Sequence, residues 1–135
     1  MEKNCSGTLA LDLGNTNTVI AFQGEKDKDS VLVEIPGITS SPGVVPTAVW
    51  FEGEAKIGKI GLSALKMKNF SNSEIYFHSN FKRLIGNPIE IQKKKILSPI
   101  ESGEKFFKIL WENILKQFDI TRLVLTAPID TYKGY

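Results

Sequence analysis

A chain of 135 residues, 41% hydrophobic and 24% charged, has the make-up of one soluble globular domain or of part of a larger one. A formal net charge of +2 is too small to argue for nucleic acid or a membrane surface, and the single cysteine, Cys5, excludes an internal disulfide framework. No basic start is followed by an apolar run, and no apolar run approaches a membrane span, so cytoplasm is the expected compartment. Asn4 and Asn69 match the glycosylation pattern but are expected to be inert there.

Leu9, Leu11 and Leu13 alternate with Thr8, Ala10 and Asp12, the period of a strand, so Asp12 leaves the sheet on the face opposite the leucines. Val19 to Phe22 make the returning strand. Between them, Gly14 permits a tight backbone, and Asn15, Thr16, Asn17 and Thr18 are turn formers that leave amide N–H groups free. A turn of bare N–H groups among hydroxyls suits phosphate. A carboxylate beside it, Asp12, suits Mg²⁺ held through water, because that ion gives up its hydration reluctantly.

A charged turn, Gly24 to Ser30, leads to a third apolar run of Val31, Leu32, Val33 and Ile35, ended by Pro36-Gly37. A linker rich in Ser, Pro and Gly covers 38–45. Pro46 to Phe51 reads as another strand and Ala55 to Gly58 as a short return strand. Leu62 and Leu65, with Met67, carry helical spacing. Phe77, Phe81, Leu84 and Ile85 suit a short helix from about Ser79 to Leu84, stopped by Gly86 and Pro88. Lys93-Lys94-Lys95 reads as a solvated run on a loop or edge strand.

Ser98-Pro99-Ile100-Glu101 is a helix start with a capping box and a proline where its missing N–H costs nothing. The helix is expected to run to about Phe118, with Phe107, Leu110, Trp111, Ile114, Leu115 and Phe118 as its apolar stripe. Thr121 to Thr126 then reads as a strand, with Arg122 to Leu125 a buried run, and Ala127-Pro128 ends it. His78, the one histidine, has no acidic or cysteine cluster nearby and reads as packing or surface rather than a metal ligand. Trp50 and Trp111 read as core anchors. No Walker A or Gly-x-Gly-x-x-Gly pattern is present.

Three of these stretches carry a resemblance. Asp12-Leu13-Gly14-Asn15-Thr16-Asn17-Thr18 resembles the first phosphate-binding segment of the actin-like ATPase superfamily, in its DnaK-type branch, the seventy-kilodalton heat-shock chaperones. Phe81-Lys82-Arg83-Leu84-Ile85-Gly86 is similar to the Lys-Arg-Leu-Ile-Gly run of that branch, and Val124-Leu125-Thr126-Ala127-Pro128 to its Val-Thr-Val-Pro-like strand end. The resemblance implies an α/β, ribonuclease-H-like half-lobe: a mixed sheet of three antiparallel strands, a crossover helix and a parallel fourth strand. It also implies a small inserted α+β subdomain. The core would cover about 1–37 and 98–135, and the insertion about 38–97.

By the same resemblance Asp12 would organise Mg²⁺ through water and Gly14, Asn15, Thr16 and Asn17 would cradle phosphate. Lys82 would stabilise the transferring phosphoryl group, acting with Asp12 in catalysis, and Pro128 would relay nucleotide state. The implied cofactor is ATP or ADP with Mg²⁺, and the implied role is ATP-driven protein folding. The implied partners are the rest of the nucleotide-binding and substrate-binding domains, unfolded clients and co-chaperones, with no nucleic acid and no membrane.

Two departures stand out. Asn15 replaces the family's first phosphate-binding threonine, and Ile129-Asp130-Thr131-Tyr132 replaces an aromatic-rich segment, which suggests a divergent bacterial member. The second lobe, with the adenosine pocket and second phosphate loop, is expected beyond Tyr135, so the 135 residues read as a fragment that is inactive alone. One cleft wall implies weak, about millimolar, ATP affinity. A last strand without its neighbour implies self-association through that edge. The alternative reading is a non-catalytic regulatory or assembly module of the superfamily. A sugar or acetate kinase is disfavoured by the Lys-Arg-Leu-Ile-Gly run. The leading reading requires Asp12 and Lys82 to look into one groove.

Overall fold

The computed structural model describes residues 5–53, 57–70, 74–85 and 95–126. They form a mixed α/β structure with two sheets and two helices. In chain order these are β1 (Cys5–Leu13), β2 (Asn17–Gly24), β3 (Val31–Leu32), β4 (Val44–Pro46), β5 (Ala48–Glu52), β6 (Ile57–Ile60), α1 (Gly61–Phe70), β7 (Phe77–Ser79), α2 (Pro99–Leu115) and β8 (Phe118–Leu125). Two short 3₁₀ turns, Glu74–Tyr76 and Lys82–Leu84, flank β7.

The first sheet has the order β3-β2-β1-β8, with β4 also on β2. β1 and β2 are an antiparallel hairpin in which Leu9 faces Phe22 and Leu13 faces Thr18. β8 returns parallel to β1, Leu11 opposite Leu125, as a strand reached through a crossover helix must. The second sheet is antiparallel throughout, β6-β5-β7.

Alternation along β5 assigns its two faces. Val49 joins the main core with Leu9, Leu11, Ile20, Phe22, Ile60 and the inner side of α2. Ala48 and Trp50 point the other way and pack with Ala64 of α1 and with Phe77. The second sheet is therefore covered by α1 on one face and joined on the other to the core that α2 closes. Gly61, at a φ of +60°, makes the corner from β6 into α1; a Cβ there would lie 2.3 Å from the Ile38 carbonyl oxygen.

Several sequence expectations need correction. The third run pairs only over Val31–Leu32, although Val33 and Ile35 are buried beyond it. Pro46 to Phe51 is not one strand: Val44–Pro46 pairs with β2, and Ala48–Glu52 belongs to the other sheet. Thr47 is the corner, because its backbone and hydroxyl turn inward to bond the β1–β2 turn. Of the return strand expected over Ala55 to Gly58, residues 55 and 56 lie outside the described residues, and the described strand is Ile57–Ile60. The helix expected from Ser79 is a single 3₁₀ turn over Lys82–Leu84, since its apolar residues serve tertiary packing rather than a helix face.

α2 starts where the capping box places it, with both reciprocal Ser98–Glu101 bonds made. It stops at Leu115, and Phe118 opens β8 and stacks on Phe22 at 4.1 Å between ring centroids. Its stripe is centred on Phe106, Leu110 and Ile114, all buried, with Phe107 and Trp111 at the flank and Leu115 exposed. The Arg122–Leu125 run is not buried: Leu123, Val124 and Leu125 are 45%, 41% and 60% exposed. β8 is the outermost strand among the described residues, so one edge and much of both faces meet solvent. Among the described residues no helix is long and apolar enough to cross a membrane.

Candidate functional site

The β1–β2 hairpin presents the turn Gly14–Asn15–Thr16 between its strands. Gly14 is required by close approach: a Cβ there would meet the Asn17 carbonyl oxygen at 2.1 Å. Thr47 braces the turn from the corner between β4 and β5. Its hydroxyl donates to the Gly14 carbonyl at 2.9 Å, its N–H donates to the Thr16 carbonyl at 2.9 Å, and Thr18 Oγ1 lies 2.8 Å from Thr47 Oγ1. Both threonines are buried. Two of the turn's three carbonyls, those of Gly14 and Thr16, are thus spent inward. No hydrogen bond to another described residue engages the N–H groups of Gly14, Asn15 or Thr16, which leaves donors for an anion.

Asp12 lies at the end of β1 on the solvent side, opposite the buried Leu9 and Leu11. Its Oδ1 accepts from Thr126 Oγ1, just past β8, and the Thr126 N–H donates to the Leu11 carbonyl. One carboxylate oxygen is thereby oriented, and the other has no protein donor among the described residues. That arrangement fits an ion held through its water shell, and a single carboxylate does not make a direct metal cage. Among the described residues no group of three or more His, Cys, Asp or Glu side chains could hold a metal directly.

Lys82 arrives from the other side. Its Nζ donates to the Leu13 carbonyl at 2.6 Å across 69 positions of sequence. That carbonyl is the peptide link between Asp12's neighbour and Gly14, so the ammonium sits beside the turn and the carboxylate strand. Two features hold it there. Phe81, 2% exposed, is buried against Phe106 of α2 with 6.1 Å between ring centroids. Asn80, at a φ of +55°, redirects the chain out of β7, and its Oδ1 accepts from Asn15 Nδ2 at 3.1 Å. Asn15 Oδ1 is buried without a partner among the described residues.

Next to the turn a cleft of about 340 Å³ opens between the two sheets, lined among others by Asn15, Thr16, Asn17, Lys68, Phe77 and Asn80. The Lys68 ammonium lies over the Phe77 ring, 4.8 Å from its centroid, a cation–π contact on the cleft wall. A second hollow, about 260 Å³ and apolar, lies between α2 and β8, lined by Leu11, Phe107, Leu110, Trp111, Leu123 and Leu125 among others. Its exposed lining is almost wholly apolar, unlike that of the charged site.

The structure brings Lys82 to the Leu13 carbonyl, next in sequence to Asp12 and Gly14; Asn15, Thr16 and Asn17 line the cleft between the sheets, whose lining does not include Asp12, Gly14 or Lys82. Pro128, the expected relay, lies outside the described residues, as do Lys93 and Lys94; Lys95 donates to the Glu74 carbonyl at 2.7 Å. His78 is 4% exposed on β7 with Nε2 unpartnered among the described residues. Burial, then the charge of Lys95, lowers its pKa from 6.5 to about 4, with Glu101 opposing. It is a neutral packing group at neutral pH. Sequence reasoning does not single out Thr47 or Asn80. Both are polar residues at strand ends, and the usable signals were Thr47 between Pro46 and Ala48 and an Asn, tolerant of positive φ, just before the lysine run. Comparison with protein-family models and with curated proteins returned no match for this chain.

Proposed function

We propose that this chain is one wall of a Mg²⁺–nucleoside-triphosphate cleft of the actin-like, ribonuclease-H-like type, belonging to the DnaK branch of chaperones. In this reading the N–H groups of Gly14, Asn15 and Thr16, unbonded to other described residues, receive phosphate oxygens. Asp12 holds the water shell of Mg²⁺. Lys82 neutralises charge on the terminal phosphoryl group, where positioning and electrostatics do nearly all the catalytic work. Asp12 would hold a Mg²⁺ ion through its water shell, and that ion would supply charge neutralisation to the phosphates. Cytoplasmic residence and ATP-driven work on unfolded clients follow from the same reading.

The observation that carries it is the 2.6 Å contact of Lys82 Nζ with the Leu13 carbonyl. Two stretches that each resemble a segment of one family, 69 positions apart, meet in this one hydrogen bond, which supports the reading. The strand order supports it too: an antiparallel hairpin with a third strand, a crossover helix, and a strand parallel to the first. A second reading, a non-catalytic regulatory or assembly module, is favoured by one feature: Asn15 stands where the resembling family has threonine, and one of its two side-chain N–H donors is taken by Asn80.

The test is a titration of the ¹⁵N-labelled chain with Mg²⁺–ATP and with magnesium tripolyphosphate. Amide shifts at Gly14, Asn15 and Thr16 are expected to saturate in the millimolar range, about −4 kcal/mol. Asp12→Asn is expected to remove the Mg²⁺ dependence. No shift in these amides at ten millimolar ligand would refute the phosphate reading.

A further inference from the structure

The Lys82 ammonium could reach the phosphate turn from many backbone positions, because a lysine has a long flexible stem. What makes its position definite is the short segment before it. Ser79 ends β7, Asn80 takes a left-handed conformation, and Phe81 drops into the core against Phe106. Asn80 is the only non-glycine residue with positive φ among the described residues. Asn tolerates that region better than most side chains do, though not without cost. The conformation places its amide oxygen 3.1 Å from Asn15 Nδ2, on the turn that presents the candidate phosphate donors. The turn is thus tied to this segment twice, through Asn15 to Asn80 and through the Leu13 carbonyl to Lys82. Both asparagines line the cleft between the sheets.

We propose that Asn80 is a positioning residue: its bond to Asn15 fixes the β7–Lys82 segment against the β1–β2 turn and so sets where the Lys82 ammonium lies. This rests on the reading of the turn and Lys82 as a phosphate site, and gives the Asn at position 15 a task. Its longer amide reaches across to the second sheet. Among the described residues Asn80 is the one hydrogen-bond partner of the Asn15 side chain, whose Oδ1 is buried without a partner among them. A ligand that pulled Asn15 away would release Asn80, so turn occupancy and Lys82 placement are coupled through one amide pair.

The experiment is competitive acetylation of the full chain, read by mass spectrometry as the labelling rate of Lys82 relative to Lys59 and Lys105. Asn80→Gly keeps the left-handed backbone without strain and removes the bridge. Asn15→Ala removes it from the other side, and Asn80→Asp retains the acceptor. Relative labelling of Lys82 is expected to rise three- to tenfold in Asn80→Gly and in Asn15→Ala and to stay at the parent rate in Asn80→Asp, with the thermal midpoint little changed by Asn80→Gly. Lys82 labelling at the parent rate in both bridge-deleted variants overturns the proposal, and so does an equal rise at all three lysines, which would mean general loosening. A parallel arm adds magnesium tripolyphosphate to the parent chain. Protection of Lys82 there speaks for the phosphate reading, and its absence sinks that reading without touching the labelling result for the bridge.

Discussion

Thr47→Val gives a quantitative test of how the turn is held. The substitution keeps the side-chain shape and removes one hydroxyl. Thr47 Oγ1 donates to the Gly14 carbonyl at 2.9 Å, so its 2.8 Å contact with Thr18 Oγ1 must have Thr18 as donor. Two hydrogen bonds vanish, at about 1 kcal/mol each. The Thr18 hydroxyl, 0% exposed, is then left as a buried donor without an acceptor, a further cost of about 1–2 kcal/mol.

Thr47→Val should therefore cost about 3 kcal/mol and lower the thermal midpoint by roughly 10 °C for a chain of this size. The double variant Thr18→Val/Thr47→Val replaces both hydroxyls by methyls and leaves only the Gly14 carbonyl short of its donor. It should be more stable than Thr47→Val alone by about 1 kcal/mol. Urea unfolding followed by circular dichroism measures all three. A Thr47→Val cost under 0.5 kcal/mol, on the order of an ordinary surface change, or a double variant no more stable than Thr47→Val alone, would refute the account of the braced turn.

His78 sets an acid limit on the fold. Its folded pKa of about 4 lies below the ordinary 6.5, so the unfolded chain binds the proton more readily. Stability should be full above about pH 6.5, fall as pH drops through the window to about 4, and level off there, a loss of about 1–3 kcal/mol. His78→Phe should flatten that slope, and an unchanged slope in urea unfolding from pH 7 to 4 would count against it. At the open edge, Leu123 and Leu125 are 45% and 60% exposed. The parent chain is expected to self-associate with rising concentration in sedimentation velocity, and the pair Leu123→Lys and Leu125→Lys to remain monomeric. A parent chain that stays monomeric throughout the concentration series would remove the edge as an association surface.

How much was legible in the sequence varies element by element. The hairpin, the Ser98 cap and the Leu110 and Ile114 positions of the α2 stripe were readable because period and capping are local properties of adjacent residues, whereas the parallel return strand was expected from the family resemblance alone. The motif residues Asp12 to Asn17 and Lys82 were readable as types in a pattern. The end of α2, the split of 46–51 between two sheets and the exposure of β8 were not, because each depends on what lies across the chain rather than along it.

The sequence by itself determined the polar and acidic make-up of the Asp12 to Asn17 turn and the buried alternation of Leu9, Leu11, Ile20 and Phe22, since chemistry and periodicity travel with the chain. Only the tertiary structure decided that Lys82 and Leu13 share a hydrogen bond, that Thr47 braces Gly14 and Thr18, and that Asn15 meets Asn80. These contacts span 29 to 69 positions, and no local propensity encodes them. They exist because two sheets sharing one core bring the hairpin turn, the β4–β5 corner and the end of β7 to a single place.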